Sequence, residues 1–227
     1  MKRLLNFVLA CAAATLSPAA VAAPEFSTAE QALFVTNHLS ALKPSTTLHY
    51  RLRKSGSLEP GFDDKASIAL SAQPDGKCCA ATAEFLSGPR RLALPDIEAA
   101  QGNPVILFFL ERDIREMERL TKGKANYFRK RIRIAVAEAA TIRDVTLPFD
   151  GRNIAAKEIS ITPYADDPLR ARFEQLINKR YVFTLSDAVP GAVLSIRTQV
   201  DAAAAGTPPL LAEEMALERQ APTAVKR

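Results

Sequence analysis

Cysteine and histidine are scarce in this chain, with three and two among 227 residues. Cys11 lies in an apolar leader, so the body holds only the adjacent pair Cys78 and Cys79, and nothing staples distant parts of the fold. Neighbours on a strand point to opposite faces, so the pair is expected as two unlinked thiols in preference to a vicinal disulfide. Two thiols with His38 and His49 elsewhere lack ligand spacing, and neither a metal site nor a cofactor is expected. Also missing are the Gly-x-Ser-x-Gly elbow, the His-Glu-x-x-His pair and the glycine loop that cradles phosphate. Beyond the leader no apolar run approaches the roughly 18 residues that a spanning helix needs, so the mature chain is expected to lack a transmembrane segment.

The leader itself has a clear pattern. Lys2 and Arg3 precede an apolar run over residues 4–16, Ser17 and Pro18 break it, and Ala20-Val21-Ala22 supplies the small residues before a cleavage site. Residues 1–22 are therefore expected to be a signal peptide cut after Ala22, placing the product in the periplasm. Val8-Leu9-Ala10-Cys11 loosely matches a lipoprotein motif, but cutting there leaves only seven residues between Arg3 and Cys11, and an unacylated Cys11 is the expected outcome. Removing 22 of the 227 residues leaves 205, a length that suits one domain over 23–200. The net charge falls from +5 to +3 with Lys2 and Arg3, too mild for a nucleic-acid partner.

Ser27 and Glu30 form a capping box that opens a helix expected to run to about Leu42, ahead of Pro44. Strict alternation over 46–53 predicts a half-buried strand with Leu48, Tyr50 and Leu52 on one side, and further strands are expected at 65–73, 77–86 and 90–94. His49, on the polar side, reads as an exposed strand residue. After Asn103-Pro104, Ile106, Leu110, Ile114, Met117 and Leu120 recur at helical spacing, and a second helix over 126–140 completes a helical hairpin. Val145, Leu147 and Phe149 alternate towards an Asp150-Gly151 turn, with a return strand over 153–162 and a bulge expected at Lys157-Glu158. Asp167-Pro168 opens a short helix, and the last strand pair spans 180–186 and 192–200. Residues 201–227, rich in alanine, proline and charge, read as a flexible tail in which 208–219 can form a short amphipathic helix. This order of elements predicts an α+β fold: a curved antiparallel sheet with a helical hairpin and shorter helices on one face.

Asn103-Pro-Val-Ile-Leu-Phe-Phe-Leu-Glu-Arg and Lys179-Arg-Tyr-Val-Phe-Thr-Leu-Ser-Asp-Ala-Val-Pro-Gly resemble uncharacterised Gram-negative periplasmic proteins of a domain-of-unknown-function type. The resemblance covers about residues 46–200. It implies a half-barrel similar to that of the periplasmic lipoprotein carriers, and it supplies no catalytic residue.

Three functions follow as expectations. The first is a non-enzymatic binding protein that holds an apolar or lipid-like ligand on the concave face of the sheet, through Tyr50, Leu52, Phe85, Phe149, Tyr181 and Phe183. The second is an interaction or scaffold protein that meets an anionic envelope component through Lys122, Lys124, Arg129, Lys130, Arg131 and Arg133, the densest basic cluster in the chain. The third is a hydrolase built on Asp63-Asp64, Asp166-Asp167 or His49, which requires those groups to converge in a cleft.

Overall fold

A computed structural model describes residues 26–204 and 206–218; the expected signal peptide, Cys11 and residues 219–227 lie outside them. Eight antiparallel strands form one open, curved, half-barrel-like sheet. They are β1 (Thr47–Ser55), β2 (Phe62–Ala72), β3 (Cys78–Phe85), β4 (Thr141–Phe149), β5 (Arg152–Ile161), β6 (Arg180–Leu185), β7 (Val193–Val200) and β8 (Leu211–Leu217), in the order β3-β2-β1-β8-β7-β6-β5-β4. The helices are α1 (Thr28–Glu30), which runs on as a π-helical segment Gln31–Val35, then α2 (Pro104–Thr121) and α3 (Ala125–Glu138).

Registered partners in neighbouring strands share a face, which sorts the sheet into two surfaces. Asp64, Leu52, Met215, Ile196, Phe183 and Ile159 make one row across six strands, and Lys54, Glu213, Thr198, Tyr181 and Ile161 make the next. Both rows face the helices. The opposite face is polar over much of its extent: Arg51 and Arg53 meet Asp63, and Glu158 takes both Arg143 and Arg197.

The amphipathic α2 places Val105, Phe109 and Met117 in the core, each inaccessible to solvent. Burial of such side chains stabilises by about 1.5–3 kcal/mol apiece. On the same side of α2, Arg112 forks onto Glu213 at 3.0 and 2.8 Å, and Asp113 accepts from Lys179 and from the Tyr181 hydroxyl at 2.6 Å. The Tyr164 hydroxyl lies 3.1 Å from that of Tyr181. Lys54 donates to Glu59 at 2.7 Å and to Glu116. Charges taken out of water need this degree of pairing to be tolerated.

Several expectations are corrected here. The chain from 211 to 217 is β8, at the centre of the sheet, where a tail or an amphipathic helix was expected; Leu211, Glu213, Met215 and Leu217 alternate onto the helix-covered face, and Arg112 neutralises the buried glutamate. The first helix stops at Val35, where Thr36 closes back onto the Gln31 carbonyl through both N–H and hydroxyl. Residues 90–94 are not a strand: a 3-10 turn at Gly88–Arg90 intervenes and only the Phe85–Leu92 bridge forms. The segment after Asp167-Pro168 consists of two 3-10 turns, Arg170–Arg172 and Glu174–Leu176.

Register is continuous through Lys157-Glu158, so no bulge lies there. The apolar phase changes because the buried face changes, from Ile154 and Ala156 on one side to Ile159 and Ile161 on the other. Along α2, Glu111 pairs with Arg115 one turn on, whereas Arg112 and Glu116 turn to the sheet and Glu118 accepts from the Ala125 N–H. Cys78 and Cys79 are joined as a vicinal disulfide in place of free thiols. Their Cα atoms stand 3.0 Å apart.

Candidate functional site

The segment between β3 and α2 is a strap laid along the free edge of β3. Leu92 pairs with Phe85, Ile97 exchanges hydrogen bonds with Ala81 at 2.8 and 2.9 Å, and the Ala100 N–H donates to the Cys79 carbonyl at 2.8 Å. An unpaired strand edge is a template for aggregation, and the strap covers it. Its far end is fixed to the N-terminal segment: the Leu39 N–H donates to the Gln101 carbonyl at 3.2 Å, and the Asn103 N–H donates to Nδ1 of His38 at 3.1 Å.

Asn103 is the junction of strap and helix. Its side-chain oxygen caps α2 by accepting from the Val105 N–H at 3.1 Å, and Nδ2 donates to the Tyr50 hydroxyl and to the Gly191 carbonyl, both at 2.8 Å. Gly191, at φ +70°, is required there, because a Cβ would stand 2.7 Å from both Asn103 Nδ2 and Leu48 Cδ1. His38 Nε2 meets the Ala32 carbonyl at 2.8 Å, so its Nδ1 is the acceptor and the ring is neutral. Burial pushes the His38 pKa down, against the Ala32 bond and the charge of Asp187.

Strap, α1 with its π-helical extension, α2 and α3 line a half-open cavity of about 880 Å³. Leu33, Phe34, Leu94, Ile97, Ile106, Leu107, Phe108, Leu110, Ile114 and Ile132 make it overwhelmingly apolar, and no residue of β1–β8 lines it. Five large apolar side chains are exposed among the described residues, and three of them, Phe26, Phe34 and Leu107, stand at this cavity at 64%, 37% and 54% exposure. Clustered apolar exposure of this kind marks binding surfaces, and the volume suits a small ligand.

The cavity also carries four charged side chains: Glu30, Glu111, Arg129 and Arg133. Arg129 grips Glu111 through Nη2 at 2.8 and 2.9 Å and through Nε at 3.1 Å. Glu30 accepts from the Ser27 N–H at 2.9 Å in the expected capping box.

The strand residues expected to hold a ligand lie elsewhere. Tyr50, Leu52, Phe85, Tyr181 and Phe183 are inaccessible, packed in the core beneath the helices. Phe149 belongs to a separate cluster with Ile154 and Val189, and its register with Arg152 puts it on the opposite face. The helix-covered face of the sheet is filled by α2 and α3, and the open apolar space lies beyond α2. Sequence periodicity marks Leu33, Ile106 and Ile114 as apolar helix positions, but an apolar helix face reads the same whether a neighbour or a cavity lies against it.

The basic cluster divides. Arg129 is committed to Glu111, and Arg131 approaches Asp167 at 2.8 Å while donating to the Pro163 carbonyl at 3.2 Å. Lys122, Lys124, Lys130 and Arg133 are exposed. The carboxylate pairs do not converge: Asp63 meets Arg51 and Arg53 on the polar face, while Asp64 accepts from Arg90 at 2.8 Å on the other. Asp166 is exposed, whereas Asp167 is buried and accepts from the Tyr127 hydroxyl at 2.6 Å. His49 lies exposed on the polar face. A second hollow of about 400 Å³ is ringed by Lys54, Glu59, Arg112, Glu116 and Arg119, whose charges are spent on one another and on Glu213. Among the described residues no group of histidine, cysteine and carboxylate side chains can hold a metal ion, and no helix is long and apolar enough to cross a membrane.

No family model matches this sequence, and no curated protein matches it. Among solved structures, the chain is similar to the Mycobacterium tuberculosis lipoprotein LppX at 8% identity and a TM-score of 0.31, over 76% of this chain and 85% of that one. It is also similar to a LolA superfamily protein from Nitrosomonas europaea at 10% identity and a TM-score of 0.21, over 86% and 96% of the two chains. At such scores neither structure supplies a function or a residue role for this chain.

Proposed function

We propose that this protein is an exported, non-enzymatic binding protein of the periplasm, and that its apolar or lipid-like ligand occupies the cavity walled by the strap and helices. The carrying observation is the cavity itself: about 880 Å³ of apolar space with Phe26, Phe34 and Leu107 exposed around it. Leaving such a surface in water forgoes roughly 25 cal/mol for each Å² that a ligand could cover. The filled interface beneath α2 moves the ligand from the sheet to the outer side of the helices.

Export rests on the leader, and N-terminal sequencing of protein recovered from a periplasmic extract is expected to start at Ala23. Binding is tested by native mass spectrometry of freshly purified protein, then by titration with a neutral polarity-sensitive dye. The expected result is a co-purifying apolar species, or saturable uptake of one dye per chain after its removal. A folded protein that carries nothing and shows only non-saturable dye partitioning overturns the reading.

A further inference from the structure

The two carboxylates and two arginines at the cavity balance in number but are not equally committed. Arg129 and Glu111 neutralise each other in a forked pair, and the Glu30 carboxylate is turned back onto the Ser27 N–H. Arg133 lies one turn beyond Arg129 on α3, is exposed, and meets no carboxylate within ion-pair distance among the described residues. Of the two groups at the hollow without an ion-pair partner, Glu30 is engaged by the Ser27 N–H, which leaves Arg133 as the charged side chain whose donors are free. A planar guanidinium offers paired N–H donors matched to the two oxygens of a carboxylate or phosphate.

We infer that the ligand is an amphiphile whose apolar tail fills the cavity and whose anionic oxygen head is received by Arg133. This rests on the binding reading above and adds the head group to it. Apolar burial supplies most of the affinity, whereas the arginine, being exposed, supplies selectivity among heads. Glu111 has a defined part: it holds Arg129, as well as Arg115, so that Arg133 is the lining arginine left without a carboxylate partner.

The test uses the full chain loaded with a neutral polarity-sensitive dye, displaced in turn by decanoate, decyl phosphate, decanol and decyltrimethylammonium. Both anions are expected to bind about two- to fivefold tighter than decanol, a gap corresponding to an exposed ion pair. Added salt is expected to shrink the gap. Arg133→Gln is expected to erase it by weakening both anions with thermal stability unchanged, and Arg133→Lys to retain part of it. The order of decanoate and decyl phosphate then distinguishes a carboxylate from a phosphate head.

Equal affinity for decanoate and decanol, tighter binding of the ammonium compound, or an Arg133→Gln loss shared equally by all four probes overturns the inference while sparing the cavity as a binding site. Failure of all four to displace dye overturns the binding reading as well. A concentration-dependent dimer that excludes dye gives the surface to a second copy, and a peptide of residues 1–25 that outcompetes both anions gives it to that segment; either result overturns the inference.

Discussion

Arg112 on α2 holds Glu213 on β8 in a two-pronged ion pair at 3.0 and 2.8 Å, tying together residues 101 positions apart in the chain. The Glu213 side chain has no exposed surface, and burial pushes its carboxyl up while Arg112, with the charges of Lys179 and Lys54, more than offsets this and holds it below the usual carboxylate range. The pair therefore decides whether β8 can sit in the middle of the sheet. Arg112→Met is expected to destabilise by about 3–5 kcal/mol, because it strands a buried carboxylate. Arg112→Met combined with Glu213→Leu is expected to recover most of that loss, as read by urea unfolding of the two single variants and the double variant. A fully additive cycle would show that the pair is not coupled.

The same ion pair explains what could be read from the sequence and what could not. The strands around Tyr50, Phe183 and Ile196 and both long helices announce themselves by period, because their apolar residues meet one uniform core. β8 does not, because its inward set includes Glu213, and a glutamate reads as inward only when its partner on α2 is known. Proline and alanine on either side then favour a tail. The cavity was hidden for a related reason: Leu107 and Phe34 are apolar residues without cover, and a sequence does not record what is missing beside a side chain. Tyr50 and Phe183 read as apolar sheet positions, and both are, yet they are sealed in the core beneath the helices.

Asn103→Ala is expected to lower stability by about 1–3 kcal/mol, since one side chain caps α2 and satisfies both the Tyr50 hydroxyl and the Gly191 carbonyl. Gly191→Ala is expected to act through the same junction, because its Cβ drives into Asn103 and φ +70° suits glycine. Chemical denaturation should show a shifted midpoint with an unchanged slope for each variant.

Protonation of His38 carries a sign that can be checked. Its folded pKa is depressed by burial below the ordinary 6.5, so the unfolded chain binds the proton first. The stability contributed by neutral His38 is complete above that ordinary value and is lost as pH falls through it towards the folded pKa. The lost contact is the Asn103 N–H bond to Nδ1. A His38→Gln variant is expected to flatten the pH dependence of the melting temperature between neutral and mildly acid solution, and unchanged curvature would exclude His38 as its source.

A second acid transition is expected at lower pH. Burial pushes the Glu116 carboxyl up, but the hydrogen bond and charge of Lys54, with Arg112, hold it down to about 2. Its contribution is present above the unfolded value of 4.5 and is lost as pH falls through the folded one. Glu116→Gln should therefore cost stability at neutral pH and leave it little changed in strong acid, as measured by unfolding at the two extremes.

Leu107 offers the cleanest separation of binding from folding. It is 54% exposed on α2, so replacing it removes little from the core and is expected to change stability by no more than about 0.5 kcal/mol. It nevertheless stands at the cavity, opposite the apolar strap. Leu107→Asp puts a charge where a ligand tail would lie, and desolvating a carboxylate beside apolar groups is costly. Uptake of a neutral polarity-sensitive dye is expected to fall at least tenfold, while Leu107→Met retains it. Lys130→Asp, on the exposed side of α3 and outside the cavity lining, is expected to leave dye uptake unchanged, which separates a local loss of apolar contact from a general effect of surface charge.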